Sequence, residues 1–457
     1  MSAVRRRGFR PDLLAPSGWG WLRLLPALLS PVTVALVAAA ADSRPSSPDE
    51  TLRAWTRMQL PALVDVYREF HAHPELSQQE SRTAERLAGL WRSAGFDVTE
   101  HVGGHGVVAV LRNGAGPTVM LRTDLDGLPV TERTGLPYAS REMGTTAGGQ
   151  CGVMHACGHD VHMTALVGVA RFLAAHRERW QGTALLVGQP AEETLVGAQA
   201  MLDDGLFTRF PRPDVAVAQH CDAALAAGTV GIRAGFTLAN SDSVDITVHG
   251  RGGHGAYPHM TIDPIVQAAE LVVGLQTLVS REVKPTEAAV VTVGSIHGGT
   301  KHNIIGDSCH LQLTLRSYSP EVRAQLLRGI ERKAKAVAAG ARAPEPTVTV
   351  GKGSPAVEND AALAGRVEEA FRRVFGVGSV VPAEQSMGAE DFSRYGVAGV
   401  PILMYRLGTV TAARIEAARQ RGETLPALHS AEYHPDAEPT LETGVVALGT
   451  AAMELLR

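Results

Sequence analysis

The strongest constraint on the fold is an alternation, from Thr51 onward, between amphipathic helical patterns and short apolar runs bounded by Gly or Pro. Residues 161–180 carry the helical pattern, whereas residues 118–122 and 183–187 are short runs of the kind that form buried strands. Strands that alternate with helices in this way are typical of a sheet with helices on both faces. The sequence therefore predicts an α/β fold class with a mixed central sheet flanked by helices.

The alternation changes after Gly228. The predicted elements then follow the order strand, helix, strand, strand, helix, strand, which is the split arrangement of a ferredoxin-like unit, at residues 243–249, 263–280, 288–295, 309–318, 320–338 and 347–350. Helical and strand patterns of the first kind resume after about Gly351. We therefore predict a discontinuous α/β domain, residues 51–238 and 351–457, interrupted by a small ferredoxin-like α+β domain, residues 239–350.

Composition excludes several classes of protein. The chain of 457 residues is 45% hydrophobic, which is enough for a substantial core. Its 43 Lys and Arg against 47 Asp and Glu leave a net charge of −4, without long blocks of like charge, so a dedicated nucleic-acid-binding protein is not expected. Four cysteines are too few for a disulfide scaffold.

The amino terminus has the pattern of an export signal. Arg5, Arg6 and Arg7 precede an apolar run at residues 24–41 that ends in small residues. The Arg-Arg-x-Phe string at residues 6–9 also resembles a twin-arginine signal. We predict that residues 1–50 are a signal-like segment and linker and that the protein is exported to the periplasm or secreted; a membrane anchor and a cytoplasmic protein with a disordered extension are the alternatives.

Polar clusters follow three predicted strands: residues 122–126, residues 189–193, and Gln219 with His220. Ligands of open α/β sheets bind at the carboxyl ends of strands, so these clusters are expected to converge. A single acidic cluster would reflect only the preference of such residues for loops. Three of them favour a common site.

Cys157 and His159 lie two residues apart just before a predicted helix. Thiolate and imidazole are ligands for Zn²⁺ and similar ions, and His155 and His162 nearby strengthen that interpretation. The alternative is a buried cysteine beside hydrogen-bonded histidines. Upstream, Ser77 and Glu80 match a capping box in front of another predicted helix.

The adjacent carboxylates Glu192 and Glu193 suggest two different roles, one as a metal ligand and one as a general base. Two neighbouring side chains on a loop point in different directions, so one can bind a metal while the other stays free as a general base. A solvated acidic turn is the alternative interpretation.

From about Leu60 to the C-terminus the sequence resembles the metal-dependent amidohydrolases that include hippurate hydrolase, auxin-conjugate amidohydrolases and N-acetyldiaminopimelate deacetylase, within a wider clan of dinuclear metallopeptidases. The motifs that carry the resemblance occur in order: Leu76-Ser77 with Glu80, then residues 122–129, 155–160, 190–193, 252–259, 387–392 and 428–430. Finding all of them by chance in this order is implausible.

The resemblance implies a site that binds two divalent metal ions, Zn or Mn with Co or Ni as alternatives, through Cys157, His159, Glu193, His220 and His429. It implies that Glu192 is the general base and that Asp124 orients a ligand. It also implies that His254 and Asn303 contact the substrate, His254 at the developing oxyanion. The small domain would be a lid and the surface of a homodimer.

The expected reaction is hydrolysis of the amide bond of an N-acyl amino acid by a metal-activated water. A dipeptidase or carboxypeptidase of the same clan is an alternative, and a catalytically silent binding protein using the same cleft is another. The chain departs from the family pattern at Ala431, at Gly306, and at Arg122, which stands where many members of the clan have a metal-binding histidine. Cys151, six positions before Cys157, is a potential disulfide partner in an oxidising compartment.

Overall fold

The computed structural model describes residues 48–457, so the predicted export signal lies outside the described residues. The first described helix begins at Pro48. Residues 48–50 therefore belong to a helix, and their predicted place in the linker is wrong. Within the described residues, no helix has both the length and the apolar content that crossing a membrane requires.

The described helices, in chain order, are α1 (Pro48–Ala72), α2 (Ser81–Ser93), α3 (His159–Ala175), α4 (Gly197–Asp203), α5 (Leu206–Arg209), α6 (Pro264–Thr277), α7 (Pro320–Gly340), α8 (Ala361–Phe375), α9 (Ser393–Val397), α10 (Ala412–Arg421) and α11 (Ala437–Leu455). The strands are β1 (Asp97–Val102), β2 (Gly106–Asn113), β3 (Thr118–Asp124), β4 (Met143–Thr146), β5 (Gly149–Gly152), β6 (Gly182–Gln189), β7 (Val215–Ala226), β8 (Val230–Ile232), β9 (Gly235–Leu238), β10 (Asn240–His249), β11 (Gly253–His254), β12 (Ala289–Gly298), β13 (Ile304–Ile305), β14 (Ser308–Ser317), β15 (Thr347–Val350), β16 (Val357–Asn359), β17 (Val380–Pro382) and β18 (Ile402–Val410).

The central sheet has eight strands in the order β1-β2-β6-β3-β7-β18-β8-β17. The run from β6 through β3 and β7 to β18 is parallel, and β1, β2 and β8 add antiparallel pairs. Successive side chains of the central strands enter opposite hydrophobic clusters: Leu121 and Leu186 lie in one, Met120 and Leu185 in the other. Because both faces are covered, the central strands are almost continuously apolar. The predicted mixed α/β sheet is confirmed.

A smaller sheet has the order β12-β14-β10-β15, and every adjacent pair is antiparallel. With α6 and α7 inserted between its strands along the chain, it follows the predicted β-α-β-β-α-β order. Its buried side chains form a hydrophobic cluster of their own that includes Ile246, Leu271, Leu311 and Ile330. The use of this unit as a lid and as a dimer surface stays a prediction.

The predicted capping box at Ser77 and Glu80 is wrong. Helix α2 begins at Ser81, and Glu80, the residue before it, makes no side-chain capping bond. Instead, the Ser77 hydroxyl donates to Asp126 at 2.6 Å. The buried Glu80 carboxylate accepts from the backbone nitrogens of Gln78 and Ala191, at 2.8 and 2.7 Å. Long-range partners near the edge of the central sheet thus outcompete the local cap.

Candidate metal centre

Three parallel strands bring the predicted polar clusters to one edge of the central sheet. Asp124 ends β3 and lies in register with Gln189, which ends β6, so the loop that carries Glu192 and Glu193 starts beside it. His220 differs from the expectation, because β7 continues past it to Ala226. Its side chain therefore projects from within a strand rather than from a loop.

The turn at Gly158 sets the directions of Cys157 and His159. Gly158 has a φ of 82°, and a Cβ there would lie 2.8 Å from the sulfur of Cys221, so no other residue fits without displacement. Helix α3 begins at His159, whose Nδ1 lies 2.8 Å from the backbone oxygen of Asp126. A carbonyl only accepts, so Nδ1 donates, and Nε2 is turned into the site.

The predicted ligand groups converge. The donor atoms of Cys157, His159 and Glu193 all lie within 4.8 Å of one another. The sulfur of Cys157 lies 3.7 Å from Nε2 of His220 and 3.3 Å from Nε2 of His429. Nε2 of His429 is also 3.5 Å from a carboxylate oxygen of Glu193.

The orientation of His220 also leaves a nitrogen available. Its Nδ1 lies 2.8 Å from the backbone oxygen of Cys221 and must donate to it. The lone pair of Nε2 is then directed toward Cys157. His159 and His220 thus present the same nitrogen to the site, each fixed by a bond from the opposite nitrogen to a main-chain carbonyl.

His429 reaches the site from an irregular segment. Its backbone adopts a φ of 69°, which is uncommon outside glycine. Its backbone nitrogen donates to the carbonyl of Ala156 at 2.8 Å, which ties the segment to the turn that carries Cys157. The ring is more open to solvent than the other donors, with 54% of its side chain exposed.

Glu192 borders this cluster, with a carboxylate oxygen 3.8 Å from Nε2 of His159, the same distance as that of Glu193. It is buried, and its carboxylate comes within 4.8 Å of the carboxylates of Glu390 and Asp391. Burial, followed by the negative charges of Glu390 and Glu193, raises the pKa of Glu192 well above its usual value. Its carboxylate thus has a raised affinity for a proton.

The two short contacts of Asp124 are with residues that are not proposed ligands. One of its oxygens lies 2.7 Å from Nδ1 of His162 and the other 2.6 Å from Nη1 of Arg122, while Nε2 of His159 is 3.8 Å away. The residue that holds His159 is Asp126, through its carbonyl and a carboxylate oxygen 3.3 Å from Nδ1. The orienting role of Asp124 stays a prediction, and Asp126, two positions along the same motif, is a further residue that fixes His159.

His162 lies close enough to be mistaken for a ligand, since it clusters with Asp124 and His159. Both of its nitrogens are used, however. Nδ1 pairs with Asp124, and Nε2 accepts from the backbone nitrogen of Cys221 at 2.9 Å. A nitrogen that accepts a hydrogen bond has no lone pair left for a metal, so His162 supports the site without joining it.

Sequence reasoning missed the roles of Asp126, Arg122 and Glu390. The Arg122 guanidinium is fully buried and bonds to Asp124 and, at 2.8 Å, to Glu390. Both Asp126 and Glu390 fall inside motifs already noted, but a motif does not say which carboxylate meets which cation. A buried arginine at the end of an apolar strand was the available signal, because such a charge needs acidic partners.

His254 and Asn303 are neighbours in the smaller domain. His254 is in β11, which pairs with β13, and the Gly255 backbone nitrogen donates to the Asn303 carbonyl at 2.9 Å. Both side chains are exposed. Among the described residues, no hydrogen bond or ion pair links either side chain to the Cys157 cluster, so their predicted contact with substrate stays a prediction.

The donor set fits divalent cations. Nε2 of His159 and one carboxylate oxygen of Glu193 are buried without a hydrogen-bond partner in the described part of the chain, a costly arrangement unless a ligand satisfies them. Burial opposes protonation of His159, yet the charges of Asp124, Asp126 and Glu193 raise its pKa to about 10. The surroundings therefore stabilise positive charge at this nitrogen, the place that a cation would take.

The thiol of Cys157 supports the same conclusion. Burial and the charges of Glu193 and Glu192 raise its pKa well above the usual value. A thiolate at this position therefore requires a strong positive charge beside it, which a divalent cation supplies. The four cysteines are free, so the potential pairing of Cys151 with Cys157 is not formed.

Comparison with known proteins gives consistent matches. The profile described as "Peptidase family M20/M25/M40" matches residues 120–422. N-acetyldiaminopimelate deacetylase of Halalkalibacterium halodurans is 37% identical over 77% of this chain and 91% of its own length. N-acetyl-L-cysteine deacetylase of Bacillus subtilis is 35% identical, over 73% of this chain and 77% of its own. A solved Bacillus subtilis structure described as a dinuclear metal binding peptidase has a TM-score of 0.72 and 28% identity, and covers 87% of this chain and 99% of its own.

Proposed function

Because this chain belongs to peptidase family M20/M25/M40, we propose that it is a metal-dependent hydrolase of the amide bond in N-acyl amino acids. The family membership confirms the resemblance found in the sequence motifs. The observation that carries the proposal is the convergence of the donor atoms of Cys157, His159 and Glu193. Two of these donors, Nε2 of His159 and a carboxylate oxygen of Glu193, have no hydrogen-bond partner in the described chain. The names of the relatives, both deacetylases of N-acetyl amino acids, support the substrate class.

We propose that Cys157, His159, Glu193, His220 and His429 hold a pair of divalent cations. Bound there, the cations would supply positive charge that activates a water molecule and polarises the amide carbonyl. Thiolate and imidazole favour Zn²⁺, while the carboxylate also suits Mn²⁺, with Co²⁺ and Ni²⁺ as further candidates. Elemental analysis decides among them.

Glu192 is the proposed general base. Its buried carboxylate lies next in the chain to Glu193, and its raised pKa favours uptake of a proton. It takes a proton from water as the water oxygen bonds to the amide carbon. It then gives a proton to the amine nitrogen as the carbon–nitrogen bond breaks, which yields a carboxylic acid and a free amino acid. Asp124 contributes negative charge 3.8 Å from Nε2 of His159.

His254 and Asn303 are the proposed substrate contacts of the smaller sheet. The Nδ1 of His254 accepts from the Ala256 backbone nitrogen at 3.0 Å. Its Nε2 then carries the ring proton and can donate to a developing oxyanion. Both residues are exposed beside a short two-stranded unit, so their side chains are accessible to a substrate.

We also propose that the smaller sheet is a homodimer surface. β12 lies at its edge and pairs with β14 on one side only. An unpaired strand edge is a template for a second chain, and apolar side chains lie exposed beside it: Val273 and Val266 on α6 and Ile296 on β12. Light scattering of the wild type should report a dimer and that of Val273→Lys a monomer. A monomeric wild type would contradict this.

Export stays a proposal that rests on the pattern of residues 1–41 alone. Sequencing of the mature amino terminus from the native host tests it directly. A mature chain that starts after residue 41 would support cleavage, and one that starts at Met1 would contradict a cleaved export signal.

The proposed function is tested by elemental analysis of the purified protein together with a panel of N-acyl amino acids and matched dipeptides. We expect bound divalent metal and faster hydrolysis of the N-acyl amino acids. A preference for dipeptides would assign the chain to the peptidase alternative. Bound metal without hydrolysis of either series would favour a binding protein that uses the same cleft.

A further inference from the structure

Arg406 is a buried cation that lacks a partner in the described part of the chain. Only 9% of its surface is exposed, yet no hydrogen bond or ion pair to its guanidinium occurs within residues 48–457. Arg122, buried on β3 of the same sheet, bonds instead to Asp124 and Glu390. Removing a guanidinium from water without a partner is costly, so a partner from outside the chain is expected.

Arg406 lies on the same side of the sheet as the proposed ligands. In β18 it is in register with His220 on the parallel strand β7, and side chains at paired positions of adjacent strands point to the same face. His220 in turn approaches the Cys157 sulfur to 3.7 Å. Burial lowers the pKa of Arg406, and the charges of Asp222, Cys157 and Glu390, in that order, oppose the change. Arg406 thus borders the metal centre.

The packing around Arg406 leaves room for its stem and a small exposed surface at its guanidinium. On the other neighbouring strand, β8, the position in register is Gly231, where a Cβ would lie 3.2 Å from the Cβ of Arg406. The glycine leaves room for the stem. The guanidinium nitrogens are not among the fully enclosed polar atoms without partners, although they make no bond. Part of their surface therefore stays accessible to a molecule from outside the chain.

We infer that Arg406 binds the free carboxylate of the N-acyl amino acid and selects substrates that carry this group. The inference rests on the proposed function, since the carboxylate belongs to the amino acid half of the substrate. That carboxylate is only a few bonds from the amide carbon, so its receptor must lie beside the reacting centre, as Arg406 does. A guanidinium also presents a planar pair of donors that matches a carboxylate.

The test uses an N-acyl amino acid and its carboxamide, which differ only in the charge that Arg406 would bind. Steady-state kinetics are measured for the metal-loaded wild type, Arg406→Gln, Arg406→Lys and Arg212→Gln. Arg212 is an exposed arginine just before the start of β7 and serves as the control. We expect the preference of the wild type for the acid over the carboxamide to fall about thirtyfold in Arg406→Gln, mainly through KM. Arg406→Lys should be intermediate.

An equal loss on both substrates would assign Arg406 to folding or to the chemical step, and an unchanged preference would also overturn the inference. Calorimetric titration of the same acid into Glu192→Gln and Glu192→Gln/Arg406→Gln separates the two proposals. If the wild type hydrolyses neither compound, the proposed function fails, while weaker binding by the double variant still supports a carboxylate site. Equal binding, or no binding to either protein, rejects that site.

Discussion

The sulfur of Cys157 lies 3.3 Å from Nε2 of His429, although 272 positions separate the two residues in the chain. The backbone nitrogen of His429 also bonds to the carbonyl of Ala156, so both main chain and side chain are fixed to the same turn. The positive φ of His429 costs on the order of 1–3 kcal/mol at a residue with a Cβ. The contacts that hold His429 beside Cys157 offset this strain.

Replacing Cys157 by Ala should lower the metal content of the purified protein. The sulfur is the donor that approaches both His220 and His429, so its loss should weaken the binding of the cations that these residues would hold. Elemental analysis gives the stoichiometry. Cys309→Ala is the control, because Cys309 is buried in the hydrophobic cluster of the smaller sheet. Equal metal content in the two variants would show that Cys157 is a buried cysteine that does not bind metal.

Replacing Glu192 by Gln should abolish turnover without removing metal. The amide has the shape of the carboxylate but cannot accept the proton of water, and a general base typically contributes about a hundredfold to ten-thousandfold in rate. The measurements are kcat on the best N-acyl amino acid and metal content on the same sample. The exposed Glu423→Gln serves as control. Near-normal kcat in Glu192→Gln would mean that another group is the base.

The order of elements could be predicted because hydrophobic periodicity is a local property. Both sheets follow from it, including the interruption between β9 and β16. The ends of strands were harder to predict: β7 extends past its predicted end because His220 and the residues after it pair with β18. The pairing of two segments that are distant in the chain cannot be predicted from the sequence of either segment alone.

The sequence predicted several side chains that come together around Cys157, but it did not predict their contacts. His429 has no local signal, since a histidine in an irregular segment is common, and only the family motif picked it out. Asp126 lies two residues after Asp124 in one motif, and its contacts with His159, through the carbonyl and a carboxylate oxygen, depend on the fold and not on the motif. Ser77 and Glu80 matched a helix cap, yet partners distant in the chain bind both side chains.

Replacing Arg122 by Met should destabilise the fold. The guanidinium is fully buried against Asp124, Glu390 and, at 3.5 Å, Asp391. Removing it leaves buried carboxylates without a cation, which typically costs about 3–5 kcal/mol. Urea unfolding of the metal-loaded proteins measures the change in free energy.

Arg57→Met is the matched control for Arg122→Met. Arg57 bonds to Glu442 at 2.7 Å on the surface, with 66% of its side chain exposed, and such pairs contribute about 0–1 kcal/mol. A similar decrease in the free energy of unfolding in the two variants would show that Arg122 does not stabilise the buried carboxylates near Glu192.

A buried histidine should make stability depend on pH in the alkaline range. His71 lies between Asp160 at 2.7 Å and Glu132 at 3.1 Å, with little solvent access. Burial alone would lower its pKa, but the hydrogen bonds to Asp160 and Glu132 outweigh it and raise the pKa to about 9. The folded protein therefore binds this proton more tightly than the unfolded chain, in which a histidine has a pKa of about 6.5.

The sign of the effect follows from that difference. A raised pKa in the folded state contributes stability that is complete below about pH 6.5 and is lost as the pH rises through about 9. The contribution is at most about 3 kcal/mol at low pH. The free energy of unfolding of the wild type should exceed that of His71→Gln most at pH 6, and the gap should shrink toward pH 10. The exposed His73→Gln, whose residue pairs with Glu142 at the surface, should change stability little. A gap for His71→Gln that stays constant across this range would show that His71 contributes packing rather than charge.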